Sequence, residues 1–105
     1  MRQSREELAS GDVRQASEKG WGAATQIVKT IAELRGWEHG NEAALLKAVS
    51  RLASETGDDD IRRLFAITLA IYIDFYGCYG AQDVTEGLDD VERFLSKLDP
   101  LVATT

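Results

Sequence analysis

The stretch that decides the fold is residues 12–39, DVRQASEKGWGAATQIVKTIAELRGWEH. Apolar or small residues recur in it at alternating spacings of three and four, which is the pattern of a helix with one buried face. Because the middle of that face carries alanine and glycine, we expect a second helix to pack closely against it. Gly20 and Gly22 each lower helix propensity by about 1 kcal/mol relative to alanine, so a packing reason for both is expected. The predicted inward residues are Val13, Ala16, Gly20, Ala23, Ala24, Ile27, Ile31 and Leu34.

Both ends of this long helix carry recognisable signals. Asp12 is a suitable N-cap, and Gln15 three residues later forms a capping-box-like pair with it. Gly36 suits the left-handed position that follows a helix, so the helix is expected to end near Arg35.

Two further helices are predicted around it. A weak helix over residues 4–10 precedes it and is ended by Gly11. Asn41 is predicted to cap a helix that runs to about Thr56 and is ended by Gly57. The inward stripe of that helix is Leu45, Ala48, Val49 and Leu52.

The second half of the chain predicts two more helices. Residues 59–77 are apolar around most of the helix circumference, which indicates a central helix or one shared with a partner chain. Asp83, with Glu86 three residues later, predicts the cap of a last helix. Asp99-Pro100 is expected to stop that helix and to leave residues 99–105 as a frayed tail.

The composition fits one folded domain over residues 1–105, all-α, with 44% hydrophobic residues and one proline. The net charge of −6 does not suit non-specific binding to a nucleic-acid backbone, although a local basic pocket remains compatible with it. The single cysteine, Cys78, excludes an intramolecular disulfide and a cysteine-cluster metal site. The first ten residues lack the apolar core of a signal peptide, and the longest apolar run, residues 64–79, is short for a membrane span. We therefore expect a cytoplasmic protein that does not enter a membrane.

The loop after the long helix holds the first candidate site. Arg35, Trp37 and His39, followed by Asn41, could form a polar pocket for a phosphate, a nucleotide or an RNA base, with arginine holding the anion and tryptophan offering a stacking face. The structural alternative is that Arg35 caps helix-end carbonyls, Trp37 fastens the loop to the core and His39 is solvated. His39 is the sole histidine and no nucleophile motif lies near it, so no catalytic residue, metal ligand or cofactor is assigned.

The second candidate site is the carboxylate of Asp74 within the apolar run AIYIDFYG. A buried carboxylate must be paired, hydrogen-bonded or protonated, so Asp74 is either an acid in a cleft or at a symmetry axis, or an ordinary ion-pair or surface residue. Tyr76 could line a ligand cavity beside it, or could pack in the core or at a subunit interface.

Several of these motifs resemble the PaREP1 proteins, a branch of the HEPN superfamily. The resemblance lies in ASEKGWGAA of residues 16–24, RGWEH of 35–39, IYIDFYG of 71–77 and VTEGLDDVERFLSKL of 84–98. It implies an up-and-down bundle of four to five helices that dimerises through its long helices. It also implies a link to RNA or nucleotides, because many HEPN proteins are RNA-cleaving toxins or pair with a minimal nucleotidyltransferase as toxin and antitoxin.

This sequence departs from the catalytic pattern of those ribonucleases, an arginine and a histidine separated by four to six residues. Arg35 and His39 enclose only Gly36, Trp37 and Glu38, and residues 72–79 contain no histidine. The function expected is therefore a non-catalytic HEPN-like homodimer that serves as an interaction or small-ligand- or nucleotide-binding module. The alternatives are a metal-independent ribonuclease of the toxin type and a partner of a minimal nucleotidyltransferase.

Overall fold

Four helices form the part of the chain that the computed structural model describes, residues 13–73 and 80–103. They are α1 (Val13–Arg35), α2 (Glu42–Thr56), α3 (Asp60–Tyr72) and α4 (Ala81–Ala103). This confirms the predicted all-α helical bundle. The predicted helix over residues 4–10 and the Asp12 cap lie outside the described residues. In the described ranges, no helix has the length and apolar character that crossing a membrane requires.

The helix α1 ends at Arg35, as Gly36 predicts. Gly36 has a φ of +73°, and its N–H donates to the Glu33 carbonyl at 3.2 Å. The Trp37 N–H donates to the Ala32 carbonyl at 2.8 Å. This pair of bonds is a Schellman motif, which satisfies the last helical carbonyls from the backbone and fixes where Trp37 leaves the helix.

Both ends of α2 are also confirmed. The Asn41 Oδ1 accepts a hydrogen bond from the Ala44 N–H at 2.9 Å, and Gly57 adopts the left-handed conformation with φ of +69°. The predicted inward stripe of α2 is buried, and it consists of Leu45, Ala48, Val49 and Leu52.

The predicted boundaries of the last two helices are wrong. α3 ends at Tyr72 and not near Gly77, because Ile73 already leaves the helical region although its N–H bonds to the Leu69 carbonyl. α4 starts at Ala81, and Asp83 lies inside its first turn, where its Oδ2 accepts from the Gly80 N–H at 3.0 Å. Asp83 thus supplies the returning half of a capping box and is not the cap itself.

The predicted stop at Asp99-Pro100 is also wrong, since α4 continues through Pro100 to Ala103. Leu98 is fully buried, and Leu101 and Val102 pack against the core from the last turn. This burial offsets the backbone hydrogen bond that proline cannot make.

The buried face of α1 is rotated from the predicted one. Val28 and Ala32 are fully buried, Ile27 is partly buried, and Leu34 is 52% exposed. The face follows four-residue spacing because α1 packs against α2, α3 and α4 together. Its buried apolar residues are Ala16, Ala24, Val28, Ile31 and Ala32.

The predicted close approach at Gly20 is confirmed. A Cβ added to Gly20 would lie 2.8 Å from the Leu88 Cδ2, so α1 and α4 come together where that side chain is absent. Gly22 is different: no atom lies within 4 Å of the position that its Cβ would take, so the packing reason expected for it is wrong. Gly87 on α4 has a matching role that sequence reasoning missed, since its added Cβ would overlap the Ile71 side chain.

A run of aromatic contacts crosses the core from α1 to α4. Trp21 stacks on Tyr72 at 5.2 Å between ring centroids and tilts against Phe65 at 5.1 Å. Phe65 in turn meets Phe94 at 5.5 Å. Trp21 therefore belongs to the packing of the bundle, although its partly buried side chain also lines a small surface depression with Thr25 and Lys29.

Candidate functional site

A cavity of about 390 Å³ opens between the loop of residues 36–41 and the first three turns of α2. Its polar lining comes from both elements. The loop contributes Trp37, Glu38 and Asn41, and α2 contributes Lys47 and Arg51.

Trp37 is placed by the end of α1 and by the core. Its backbone is held by the Schellman motif, and its half-buried side chain packs against the main hydrophobic cluster. The Arg51 guanidinium carbon lies 4.4 Å from the indole ring centroid, and that of Arg35 lies 5.2 Å away. Both distances are within the range of cation–π attraction. The result is an indole ring that is fixed in position and has cationic neighbours.

Lys47 and Arg51 lie one turn apart on α2, beside Ala44 and Ala48 at the edge of its buried stripe, and both are exposed. Residues four apart on a helix share a face, which explains why both line the same cavity. Glu38 is the acidic residue of the lining. The lining carries more positive than negative charge within a chain whose net charge is −6, so this surface can attract an anion.

Arg35 is engaged next to this cavity. Its guanidinium donates to the Glu55 carboxylate across the α1–α2 contact, and it also lies against the Trp37 ring. The Arg35 side chain thus bonds to Glu55, and backbone N–H groups bond to the Ala32 and Glu33 carbonyls.

His39 lines a different and smaller depression, of about 170 Å³, together with Thr25, Lys29 and Asn41. Of the five predicted ligand-binding residues, Trp37 therefore lines the larger cavity, Arg35 lies against its ring and His39 faces elsewhere. Asp74 and Tyr76 lie outside the described residues. The predicted binding set as a whole stays a prediction.

Sequence reasoning missed Lys47, Arg51 and Glu38. The available signal was the four-residue spacing of the two basic residues beside the apolar stripe of α2, but that pattern is also typical of any solvated helix face. In residues 13–73 and 80–103, no group of three or more histidine, cysteine, aspartate or glutamate side chains could hold a metal ion.

Fold and cavity together define a small helical bundle with a surface cavity at one interhelical loop. The chain belongs to the archaeal PaREP1/PaREP8 family, because the sequence model of that family matches residues 1–95. This confirms the resemblance to PaREP1 that the motifs indicate. A search of curated proteins and a search of solved structures each gave no match.

Proposed function

We propose that this protein is a non-catalytic, HEPN-like homodimeric module that binds a mononucleotide in the cavity between the 36–41 loop and α2. The observation that carries the proposal is the pairing of the Trp37 ring with the Arg51 guanidinium at 4.4 Å on the wall of that cavity. The guanidinium of Arg51 lies over the indole ring, and the stacked pair offers a flat guanidinium face to a base and positive charge to a phosphate.

Each part of the ligand has a partner in the lining. A base can stack on the planar guanidinium of Arg51, which itself lies over the Trp37 ring, and such stacking contributes about 1–3 kcal/mol per base. Lys47 and Arg51 are the phosphate partners, since both side chains are fully charged donors. The volume of about 390 Å³ falls within the range of pockets that hold small ligands.

The geometry gives little support to the ribonuclease alternative. A metal-independent ribonuclease needs a histidine for proton transfer beside a cation that stabilises the phosphate. Here His39 lines the smaller depression, whereas Arg35 is paired with Glu55 beside Trp37. We expect no RNA cleavage by the purified protein and no change in RNA integrity with His39→Ala. Cleavage by the parent that disappears in a folded His39→Ala variant would replace the proposal with the toxin alternative.

The binding proposal is tested by titrating the protein with ribonucleoside monophosphates and following Trp37. The chain has two tryptophans, so Trp21→Phe leaves Trp37 as the only indole reporter. We expect saturable quenching in this variant and matching heats of binding in the parent.

Paired charge variants locate the site. Arg51→Gln and Arg63→Gln each remove one positive charge, and Arg63 is an exposed residue of α3 that does not line the cavity. Loss of a charged hydrogen bond of about 1.5–3 kcal/mol should weaken binding about tenfold or more in Arg51→Gln. Arg63→Gln should bind as the parent does. Absence of saturable binding, or equal binding by both variants, would refute the nucleotide site.

The partner and location parts of the proposal rest on sequence. A homodimer is proposed from the apolar character of residues 59–77, and a cytoplasmic location from the single cysteine, which suits a reducing compartment. A role beside a minimal nucleotidyltransferase, as in toxin–antitoxin pairs, is the remaining alternative. An adjacent reading frame for such an enzyme would favour it, and native mass spectrometry of the protein from its own host would detect the complex.

A further inference from the structure

We infer that the base taken by this cavity is guanine, so that the ligand is a free guanine mononucleotide; this inference rests on the nucleotide-binding function proposed above. It comes from two loop residues, Glu38 and Asn41, that line the same cavity as Trp37 and Arg51.

Glu38 presents a free acceptor. Its side chain is exposed at the cavity, and in the described part of the chain no hydrogen bond or ion pair engages its carboxylate. An ionised carboxylate only accepts hydrogen bonds, and its two oxygens can accept from two neighbouring donors at once.

Asn41 presents the opposite group. Its Oδ1 is committed to the Ala44 N–H at 2.9 Å, as the cap of α2. The NH₂ group of the amide makes no hydrogen bond to the described part of the chain and remains as a donor for a ligand. The loop thus offers an acceptor pair from Glu38 and a donor from Asn41, three residues apart in the chain.

Of the two common purines, these groups fit guanine better than adenine. Guanine presents the O6 acceptor next to the N1–H and N2–H₂ donors, so O6 can accept from Asn41 while the two donors face Glu38. Adenine presents an amino donor where guanine has O6, and an unprotonated N1 where guanine has a donor. The adenine amino group would face the Asn41 NH₂, so that two donors meet, and the N1 lone pair would face the Glu38 carboxylate, so that two acceptors meet. A site built to hydrogen-bond a ligand discriminates strongly against an analogue that leaves its polar groups unpaired.

A free nucleotide fits better than a guanine within an RNA chain. The two cations of the lining, Lys47 and Arg51, suffice for one phosphate group. The net charge of −6 would repel the further phosphates of a polyanion.

The test is isothermal titration of the full chain with GMP, IMP and AMP, where IMP retains O6 and N1–H but lacks the N2 amine. We expect GMP to bind at least about tenfold more tightly than AMP, with IMP between them. Glu38→Gln should abolish the preference for GMP. Glu33→Gln, which removes an exposed carboxylate of α1 outside the cavity, should keep it.

The outcomes separate the two claims. Equal affinity for GMP and AMP, both weakened by Arg51→Gln, would overturn the guanine inference and leave the nucleotide site standing. A GMP preference unchanged by Glu38→Gln would also overturn it. Tighter binding of a guanine-containing oligoribonucleotide than of GMP would overturn the choice of a free nucleotide. No binding of any of the three nucleotides would overturn the proposed function as well.

Discussion

At the scale of single residues, two glycines two positions apart in α1 have different roles. Gly20 is buried against α4, and a Cβ there would meet the Leu88 side chain, which is only 2% exposed and has little room to move. Gly22 is exposed, and its added Cβ would meet no neighbour. Both glycines lower helix propensity. At position 20 the close packing requires the absence of a side chain, and at position 22 it does not.

Comparison of Gly20→Ala with Gly22→Ala tests this difference. Both substitutions gain the same helix propensity, about 1 kcal/mol, but only Gly20→Ala adds a methyl group to a filled contact. We expect Gly22→Ala to raise the free energy of unfolding and Gly20→Ala to lie below it by about 1–3 kcal/mol. Urea denaturation of the two variants measures the difference directly. Equal stabilisation in both would mean that the α1–α4 crossing is looser than described.

At the scale of elements, helix ends were predictable where the signal is local, and helix faces were less so. Gly36, Asn41 and Gly57 end or cap their helices as predicted, because each acts through its own backbone conformation or through a bond to a residue three or four positions away. The face of α1 depends on where three other helices lie, and periodicity does not contain that information. The prediction that α4 stops at Pro100 was wrong for the same reason. Core contacts of its last turn keep the chain helical beyond the proline.

For the candidate site too, some residues were predictable from the sequence and others were not. Trp37 was predictable because tryptophan directly after a helix-ending glycine is a conspicuous surface feature. Lys47 and Arg51 were not, because only the fold of the loop back onto α2 brings them to the indole ring.

The rotated face of α1 is tested by Ile31→Ala and Leu34→Ala. Ile31 is fully buried, so its truncation leaves a cavity and should lower the free energy of unfolding by about 2–5 kcal/mol. Leu34, 52% exposed, should change it by less than about 0.5 kcal/mol. Thermal unfolding followed by circular dichroism gives both values. The face would be misassigned if Leu34→Ala proved the more damaging of the two.

At the scale of the whole molecule, an ion pair joins distant parts of the chain, and large apolar side chains are exposed on three of the helices or at their ends. Lys97 of α4 reaches the Asp58 carboxylate at 2.7 Å and so links the last helix to the turn between α2 and α3. Apolar residues remain exposed near the end of α3, where Tyr72 is 37% and Ile73 is 43% exposed. We propose this end of α3 as the part of the described surface that a second copy of the chain would cover.

Sedimentation velocity at tens of micromolar protein tests the dimer. We expect the parent to sediment as a dimer with a twofold contact that buries apolar surface. Ile73→Lys should shift it towards monomer, because a charge buried without a partner is costly. Leu46→Lys places the same charge on α2 at an equally exposed position, 43%, and should leave the dimer intact. A parent that remains monomeric under these conditions would remove dimerisation from the proposal.

The close crossing of α1 and α4 has a consequence for how the chain folds during synthesis. The N-terminal part of a chain leaves the ribosome first, but the small face of α1 around Gly20 is covered by Leu88, far along the sequence. The contact therefore closes a long loop, and such contacts slow folding relative to those between neighbouring segments. Until α4 has been made, the nascent protein keeps an alanine- and glycine-lined groove open to water, and its core is completed only after nearly all of the described chain has been translated.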